Sequence, residues 1–248
     1  MNNSVSEHYA NHLGPIYSWM VGDFDAATES MSAYFGDVGL RVGPDTIAVD
    51  LGCGHGIQAV PLARLGYEVF AVDTCGRLLE ELEAIADAEE LPIHTINDDL
   101  LNFAGHLDRP VNVIVCMGDT LTHLESADHV AELIASVANA LTADGVFCVS
   151  FRDYVSSELA GNDRFIPVRS DDDRIHTCFL EYLPDCLRVH DIIHTRSPNG
   201  WQMAASSYPK LRIAPGQVEA FATARGLQLI DRRDTYGMLY LAFKSTSG

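Results

Sequence analysis

Residues 50–56, with the sequence DLGCGHG, place three glycines at alternate positions directly after an apolar run at 46–51. Glycine lets the backbone turn sharply and approach a ligand without interference from a Cβ atom. In an open α/β sheet, the loop after the first strand lies at the carboxyl edge, where ligands bind. The sequence therefore predicts an α/β fold with a binding site that includes Gly52, Cys53 and Gly54.

Apolar strand-like runs alternate with helical periodicity as far as residue 151. After the first run, further runs lie at 67–72, 91–96, 111–117 and 146–151. Residues 130–141 carry apolar side chains at spacings of three, four and seven, as in an amphipathic helix. This alternation predicts a doubly wound, mostly parallel sheet with right-handed crossovers, the Rossmann-like arrangement. Two closing runs, at 227–232 and 237–243, add an antiparallel pair and bring the sheet to seven strands.

The pattern changes after Arg152. Three runs, at 175–183, 185–195 and 200–213, have the length and turn residues of an antiparallel meander. The pattern of the main sheet then resumes. We therefore predict one domain over residues 1–248, with residues 153–213 inserted into it as a lid or substrate wall.

The charge of the chain limits its partners. Lys and Arg number 16 against 35 Asp and Glu, which gives a formal net charge of −19. Such a polyanion is repelled by phosphate backbones and by anionic membranes. We therefore expect a small-molecule substrate, no nucleic acid and no membrane, and the sequence leaves the oligomeric state open.

The cysteines and the N-terminus indicate a cellular location. The first residues have neither the basic nor the apolar region of a secretory signal. No apolar run approaches the ~18 residues that a membrane span needs. The six cysteines stand singly, without a C-x-x-C pair, so we expect reduced thiols, no metal site and a cytoplasmic protein.

The residues around the glycine loop distinguish between two nucleotide cofactors. A dinucleotide fingerprint, G-x-G-x-x-G, needs a small residue where this chain has Ile57. Asp50 would repel a pyrophosphate, but a carboxylate suits a ligand that carries an ammonium and a sulfonium group. Asp73, about 20 residues beyond Gly52, is placed to accept both hydroxyls of a ribose. The alternative role of Asp73 is to cap the helix that starts at Cys75.

A second acidic corner follows the third strand. Asp98, Asp99 and Leu100 lie where a carboxylate can accept the adenine amino group while a backbone N–H serves a ring nitrogen. A solvated turn is the alternative. Together with the glycine loop and Asp73, this corner favours S-adenosylmethionine as the cofactor.

Residues 46–152 resemble the class I S-adenosylmethionine-dependent methyltransferases. The resemblance is carried by the D-x-G-x-G-x-G loop, by Asp73 and by the Asp98–Asp99 corner, in this order and at suitable spacing. It implies a methyltransferase fold, with S-adenosylmethionine bound along these residues and along Thr74 beside Asp73.

A narrower resemblance, to the glycine and sarcosine N-methyltransferase type, extends through most of the chain. It rests on an N-terminal helical segment, on residues 116–124 (CMGDTLTHL), on FRDY at 151–154 and on SYP at 207–209. It implies a helical cover over residues 1–40. Its cofactor-contacting positions match Tyr17, Met117 and His123, and its substrate-contacting positions match Arg152 and Tyr208. Asp119 stands where that group has Asn.

These residues predict methyl transfer to a small molecule, with His123, Arg152 and Tyr208 at the catalytic site. An amine acceptor needs only to lose a proton before attack, and the Arg152 guanidinium would hold a nearby carboxylate in two parallel hydrogen bonds. The alternative is O-methylation, with His123, or else Asp119, as the general base. A nucleotide-binding oxidoreductase and a non-catalytic S-adenosylmethionine-binding protein are the further alternatives.

Overall fold

A computed structural model describes residues 4–246; residues 1–3, at the start of the predicted cover, and residues 247 and 248 lie outside it. The α-helices within these residues are α1 (Val5–His8), α2 (Tyr17–Val21), α3 (Phe24–Val38), α4 (Ala59–Leu65), α5 (Gly76–Glu89), α6 (Ala127–Ala140) and α7 (Pro215–Ala224). Short 3₁₀ segments occupy Gly14–Ile16, Leu100–His106, Thr120–His123 and Gly161–Arg164, and Tyr9–Leu13 forms a π-helical turn. None of the described helices has the length and apolarity that a membrane span requires.

The strands form two sheets. In chain order they are β1 (Ile47–Leu51), β2 (Glu68–Asp73), β3 (Ile93–Asn97), β4 (Val111–Cys116), β5 (Leu141–Phe151), β6 (Phe165–Ser170), β7 (Arg174–Tyr182), β8 (Cys186–Ser197), β9 (Gly200–Leu211), β10 (Leu227–Thr235) and β11 (Met238–Ser245). The larger sheet has seven strands in the order β10-β11-β5-β4-β1-β2-β3. Strands β1 to β5 run parallel, and β11 is antiparallel to both of its neighbours. The predicted doubly wound, mostly parallel seven-stranded sheet is confirmed.

Both faces of this sheet are covered, as a parallel sheet requires. Ile47, Val49 and Leu51 of β1 pack in the same cluster as the apolar side of α6, whereas Ala48 packs in the cluster that includes α4 and α5. Because successive strand residues point to opposite faces of the sheet, β1 is apolar on both of its faces. Helix α6 is capped by Ser126, whose side chain accepts a hydrogen bond from the His129 amide at 3.2 Å.

The smaller sheet is an antiparallel meander with four strands, in the order β6-β7-β8-β9. The sequence predicted three of these strands and missed β6. Strand β6 is exposed at most positions, contains Pro167, and shows a register shift before Arg169, so it lacks an apolar alternation. The start of β5 was also misplaced, because residues from Leu141 onward already pair with β4 across an irregularity.

The inner face of the meander has a core of its own. Leu180, Leu187, Val189 and Tyr208 pack together there with Tyr154, and Val5 of α1 packs against them. The N-terminal segment therefore lies directly against the meander, on the same side of the molecule as the carboxyl ends of β1 to β4.

Candidate active site

A cavity opens at the carboxyl ends of the parallel strands. Its wall is formed by the loop after β1, by the ends of β2 and β3, by the turn after β4 and by the N-terminal segment. Most of the predicted cofactor residues line it: Tyr17, Gly52, Cys53, Gly54, Asp73, Thr74, Asp98, Asp99, Leu100, Met117 and His123. Asp50, Arg152 and Tyr208 are not among the lining residues.

The glycine loop has a backbone that side chains would disturb. Gly52 and Gly54 have φ of 74° and 53°, in the left-handed region that favours glycine. A Cβ atom on Gly52 would lie 2.3 Å from Cγ2 of Thr120, and one on Gly54 would lie 3.5 Å from Cε1 of Tyr17. The loop backbone therefore runs at close range under Tyr17 and along Thr120. Side chains at Gly52 and Gly54 would collide with or crowd these two residues.

Asp73 performs the alternative role that the sequence left open, and it also faces the cavity. Its two carboxylate oxygens accept hydrogen bonds from the amides of Gly54 and Cys75, each at 2.8 Å. One bond fastens the glycine loop and the other caps the start of α5. Burial raises the pKa of Asp73, and these amides oppose that rise. The carboxylate is thus held in place at the cavity wall, where its remaining lone pairs can accept ribose hydroxyls.

Asp50 lies beneath the loop rather than in the cavity wall, which corrects the expectation of direct contact with a ligand. Its side chain is fully buried, and neither carboxylate oxygen is in a hydrogen bond of ordinary geometry. Burial, followed by repulsion from Asp73, raises the pKa of Asp50 to about 8. A cation bound above the loop would lower that pKa, because it favours the charged carboxylate.

Asp50→Asn tests this interpretation through the pH dependence of stability. The folded protein binds an extra proton at Asp50 between about pH 4 and pH 8, so wild-type stability should fall as pH rises through that window. Without ligand, the variant should be more stable than wild type by ~2–5 kcal/mol above pH 8, and equal near pH 4. Urea unfolding at several pH values measures this difference. If the free energy of unfolding varied with pH in the same way in both proteins, Asp50 would already be ionised in the folded protein.

The acidic corner after β3 is preformed. Asp98 accepts hydrogen bonds from the Asp99 amide at 2.7 Å and from Asn102 and His106 at 2.8 Å each. These hydrogen bonds lower the pKa of Asp98 to about 2. Asp99 accepts the Leu101 amide at 2.9 Å and so caps the following 3₁₀ segment. The corner therefore presents a fixed negative edge to the cavity.

Rings cluster at the end of the cavity nearest the meander. The His123 centroid lies 5.5 Å from that of Tyr9 and 5.7 Å from that of Tyr208, and Tyr9 lies 6.0 Å from Tyr17. Tyr208 is buried behind this wall. Burial, and then the charge of Lys210, lower the pKa of His123 to about 3, and its Nε2 has no hydrogen-bond partner among the described residues. His123 is therefore neutral and can bind an additional polar group.

A buried ion pair stands beside His123, and its cation, Lys210, is the member that the sequence did not indicate. Asp119 forms an ion pair with Lys210, accepts the Tyr154 hydroxyl at 2.7 Å and accepts the Arg152 amide at 3.0 Å. Burial raises the pKa of Asp119, but Lys210 and these hydrogen bonds outweigh it and hold the pKa below its usual range. The sequence did hold a signal for this pair, because Lys210 lies two residues after Tyr208 and therefore on the same face of the predicted strand.

Arg152 is directed away from the cavity, contrary to the prediction. Its side chain is exposed, and Nη1 donates to the carbonyl of Tyr236 in the β10–β11 hairpin at 3.3 Å. Its backbone amide donates to Asp119, while its guanidinium lies at the β10–β11 hairpin. The structure therefore does not bring Arg152 together with His123 and Tyr208.

The known proteins that this sequence resembles are methyltransferases. Residues 48–145 match a family model described as a methyltransferase domain. Over these residues the chain is similar to methyltransferases. The chain is 23% identical over 152 residues to the glycine/sarcosine N-methyltransferase of Aphanothece halophytica, which covers 60% of this chain and 57% of that protein. It is 26% identical over 102 residues to the ubiquinone biosynthesis O-methyltransferase of Rickettsia typhi, covering 41% and 39%. The match thus spans about half the length of these curated relatives or less.

Solved structures share the fold over nearly the whole chain. An S-adenosylmethionine-dependent methyltransferase from Clostridium acetobutylicum superposes with a TM-score of 0.77 at 18% identity, covering 96% of this chain and 99% of its own. The methyltransferase CcbJ from Streptomyces caelestis gives 0.77 at 21% identity, covering 96% and 98%. CalS10, an amino pentose methyltransferase from Micromonospora echinaspora with S-adenosylmethionine bound, gives 0.73 at 12%, covering 94% and 97%.

The methyltransferase fold and its cofactor, S-adenosylmethionine, are thereby confirmed as predicted. The residues fit that cofactor on two observations of this structure. Gly52 and Gly54 present bare backbone to the cavity, and the Asp73 carboxylate is fixed at its wall. The buried carboxyl of Asp50 lies below the loop, where a bound cation would favour its charged form.

Proposed function

We propose that the whole chain is an S-adenosylmethionine-dependent methyltransferase that methylates the nitrogen of a small amine on an uncharged or cationic scaffold. One observation carries the choice of acceptor: none of the described residues that line the cavity is Lys or Arg, and the ring wall around His123 brings no charged side chain to its surface. An anionic acceptor would meet no compensating charge there and would lose its hydration.

The protein's contribution to such a reaction is mainly alignment. When bound, S-adenosylmethionine supplies an activated methyl group on a good leaving group. The ring cluster around His123 offers a desolvated wall against which an acceptor nitrogen can be held in line. Positioning of this kind can supply ~7–11 kcal/mol of a barrier. The unpartnered Nε2 of His123 can accept a hydrogen bond from an acceptor N–H and so orient the nitrogen lone pair.

The same residues disfavour an alcohol or phenol acceptor, which needs a positioned base. A base works best when its pKa is near the operating pH, and burial holds the pKa of His123 at about 3. The other nearby carboxylate, Asp119, is already bound to Lys210 and Tyr154. We therefore place O-methylation second.

The names of similar proteins support an amine acceptor. They include the glycine/sarcosine N-methyltransferase, the amino pentose methyltransferase, the sugar N-methyltransferase KedS8 and the glycopeptide N-methyltransferase MtfA. Of these acceptors, glycine carries a carboxylate, and the position of Arg152 removes the side chain that was expected to hold it. An amine on a sugar-like scaffold fits the cavity charge better.

Matched acceptors test the proposal. A glycoside with one amino group should be compared with the same glycoside bearing a hydroxyl, and an amino acid with its amide. We expect release of S-adenosylhomocysteine with the amino glycoside and with the amide in preference to the hydroxyl and carboxylate partners. Turnover confined to phenols or alcohols would overturn the nitrogen assignment, and turnover confined to carboxylates would overturn the charge argument.

Arg152→Ala provides a prediction about the acceptor site. Because the guanidinium lies outside the cavity, kcat/KM for a neutral amine should stay within about twofold of wild type, as expected for surface substitutions. His123→Ala in the same assay should lower kcat by at least about tenfold, because the acceptor nitrogen loses its orienting partner. A large loss with Arg152→Ala, restricted to anionic acceptors, would restore the carboxylate hypothesis.

A further inference from the structure

A buried cluster joins the N-terminal segment to the meander on the far side of the ring wall. His8 of α1, which is fully buried, hydrogen-bonds through Nε2 to Oδ2 of Asp191 at 2.9 Å. His176 of β7 bonds through Nε2 to the other oxygen of Asp191 at 2.8 Å. His8 Nδ1 is 2.8 Å from the Ser206 hydroxyl of β9. His12 bonds to the Asp191 carbonyl at 3.0 Å.

In this cluster each carboxylate oxygen of Asp191 is bound by a histidine from a different element, His8 of α1 and His176 of β7. Asp191 is a buried carboxylate, and its hydrogen bonds to His176 and His8 outweigh burial and lower its pKa to about 2. If α1 moves away, Oδ2 loses the His8 hydrogen bond and must exchange it for water beside the apolar inner face of the meander. The N-terminal segment is therefore either fastened at Asp191 or detached from it.

The fastened segment forms one side of the cofactor cavity. Val5, Ser6 and Tyr9, on either side of His8, belong to the cavity wall. The His8 ring also lies against Tyr208, with centroids 4.3 Å apart, so it holds the ring wall from behind. Detachment of α1 would remove this side of the cavity.

A second contact fastens the same segment further along the chain. Trp19 of α2 donates through Nε1 to Asp171 at 2.5 Å. The guanidinium carbons of Arg169 and Arg174 lie 5.7 Å from its ring. This contact is solvent-exposed, unlike the Asp191 cluster, and it makes Trp19 a reporter of segment position.

We propose that His8, Asp191 and His176 form a latch that fastens the N-terminal segment to the meander, and that the cofactor enters and leaves the cavity only when this latch opens. They are positioning residues, since none of them lines the cavity. The latch concerns cofactor exchange and is independent of which acceptor the enzyme uses.

The experiment uses the full chain with Trp201→Phe, which leaves Trp19 as the only tryptophan. His8→Leu removes the donor to Asp191, whereas His8→Gln keeps an N–H in a similar place. The matched control is His190→Leu, which breaks a partly exposed pair with Glu181 on the other face of β8. Trp19 fluorescence in stopped flow measures binding and release of S-adenosylhomocysteine, with no acceptor present. Hydrogen exchange without cofactor compares residues 5–13 with α6.

We expect His8→Leu to accelerate both association and dissociation of S-adenosylhomocysteine by about 10- to 100-fold, the effect of losing one charge-assisted hydrogen bond. Exchange at residues 5–13 should rise while α6 stays protected, His8→Gln should restore slow rates in part, and His190→Leu should resemble wild type. Faster exchange at 5–13 with unchanged binding rates would show that the segment does not gate the cavity. Equal loss of protection in α6 would show a structural role only. Either result overturns the latch and leaves the acceptor assignment untouched.

Discussion

Replacing Lys210 by Met should lower the free energy of unfolding by about 3–5 kcal/mol, because it leaves a buried charge without its partner. Asp119 is nearly inaccessible to solvent, and its ion pair with Lys210 is buried on both sides. Urea unfolding at pH 7 measures the loss. In wild type the pKa of Asp119 lies below its usual range, so its contribution to stability is lost as the pH falls through that pKa. In the variant the Asp119 carboxyl can take up a proton at higher pH. The loss of unfolding free energy caused by Lys210→Met should therefore shrink as the pH is lowered from 7 to 4.

Lys244→Met is the matched control for this prediction. Lys244 pairs with Asp144 at 2.8 Å, but their side chains are 45% and 80% exposed. Exposed pairs contribute ~0–1 kcal/mol. A second variant that combines Lys210→Met with Asp119→Asn should recover part of the loss, because no unpaired charge remains. If Lys210→Met costs no more than Lys244→Met, the buried pair does not stabilise this part of the site.

Asp73→Ala should weaken binding of S-adenosylhomocysteine by roughly 10- to 150-fold, the equivalent of ~1.5–3 kcal/mol from hydrogen bonds to a charged acceptor. The carboxylate faces the cavity, and it also holds the glycine loop through the Gly54 amide. The substitution removes both interactions, so titration calorimetry should be paired with thermal unfolding of the free protein. We expect a stability loss of ~1–3 kcal/mol from the two unpaired amides.

Asp73→Asn separates the two roles of this side chain. Its single carbonyl oxygen can keep one of the two backbone hydrogen bonds, but it presents an amide rather than a carboxylate to the ribose. Binding should therefore remain weak while part of the stability returns. Full recovery of affinity with Asn would assign Asp73 to loop support alone.

The sheet and most of the cofactor side of the cavity could be predicted from the sequence, because both depend on local patterns. Apolar runs of strand length determine β1 to β5, and the loop after β1 must lie at the carboxyl edge once the sheet is parallel. Residues at strand ends, such as Asp73 and Met117, then reach the cavity without further information. Strand β6 lacked such a pattern and was missed.

The other side of the cavity depends on contacts between distant parts of the chain. Lys210 and Asp119 are 91 residues apart, and His8 and Asp191 are 183 apart. A single sequence gives no pairing rule for such charges. The position of Arg152 at a strand end was predicted correctly, but the direction of its side chain is decided by the β10–β11 hairpin and by Asp119.

Strand β9 has a consequence for how proteins of this fold can diverge from this chain. Ser206, Tyr208 and Lys210 are alternate residues on its inner face, and each serves a different structure: the His8 cluster, the ring wall and Asp119. Because side chains alternate with a period of two, an insertion or deletion of one residue in the β8–β9 turn would rotate all three outward together. An insertion or deletion of two residues would keep the side chains facing inward, but it would move each one to the position that its neighbour on the inner face now occupies. Changes of acceptor are therefore expected to arise by substitution within β9, at constant length of the turn at 197–200, and rarely by change in its length.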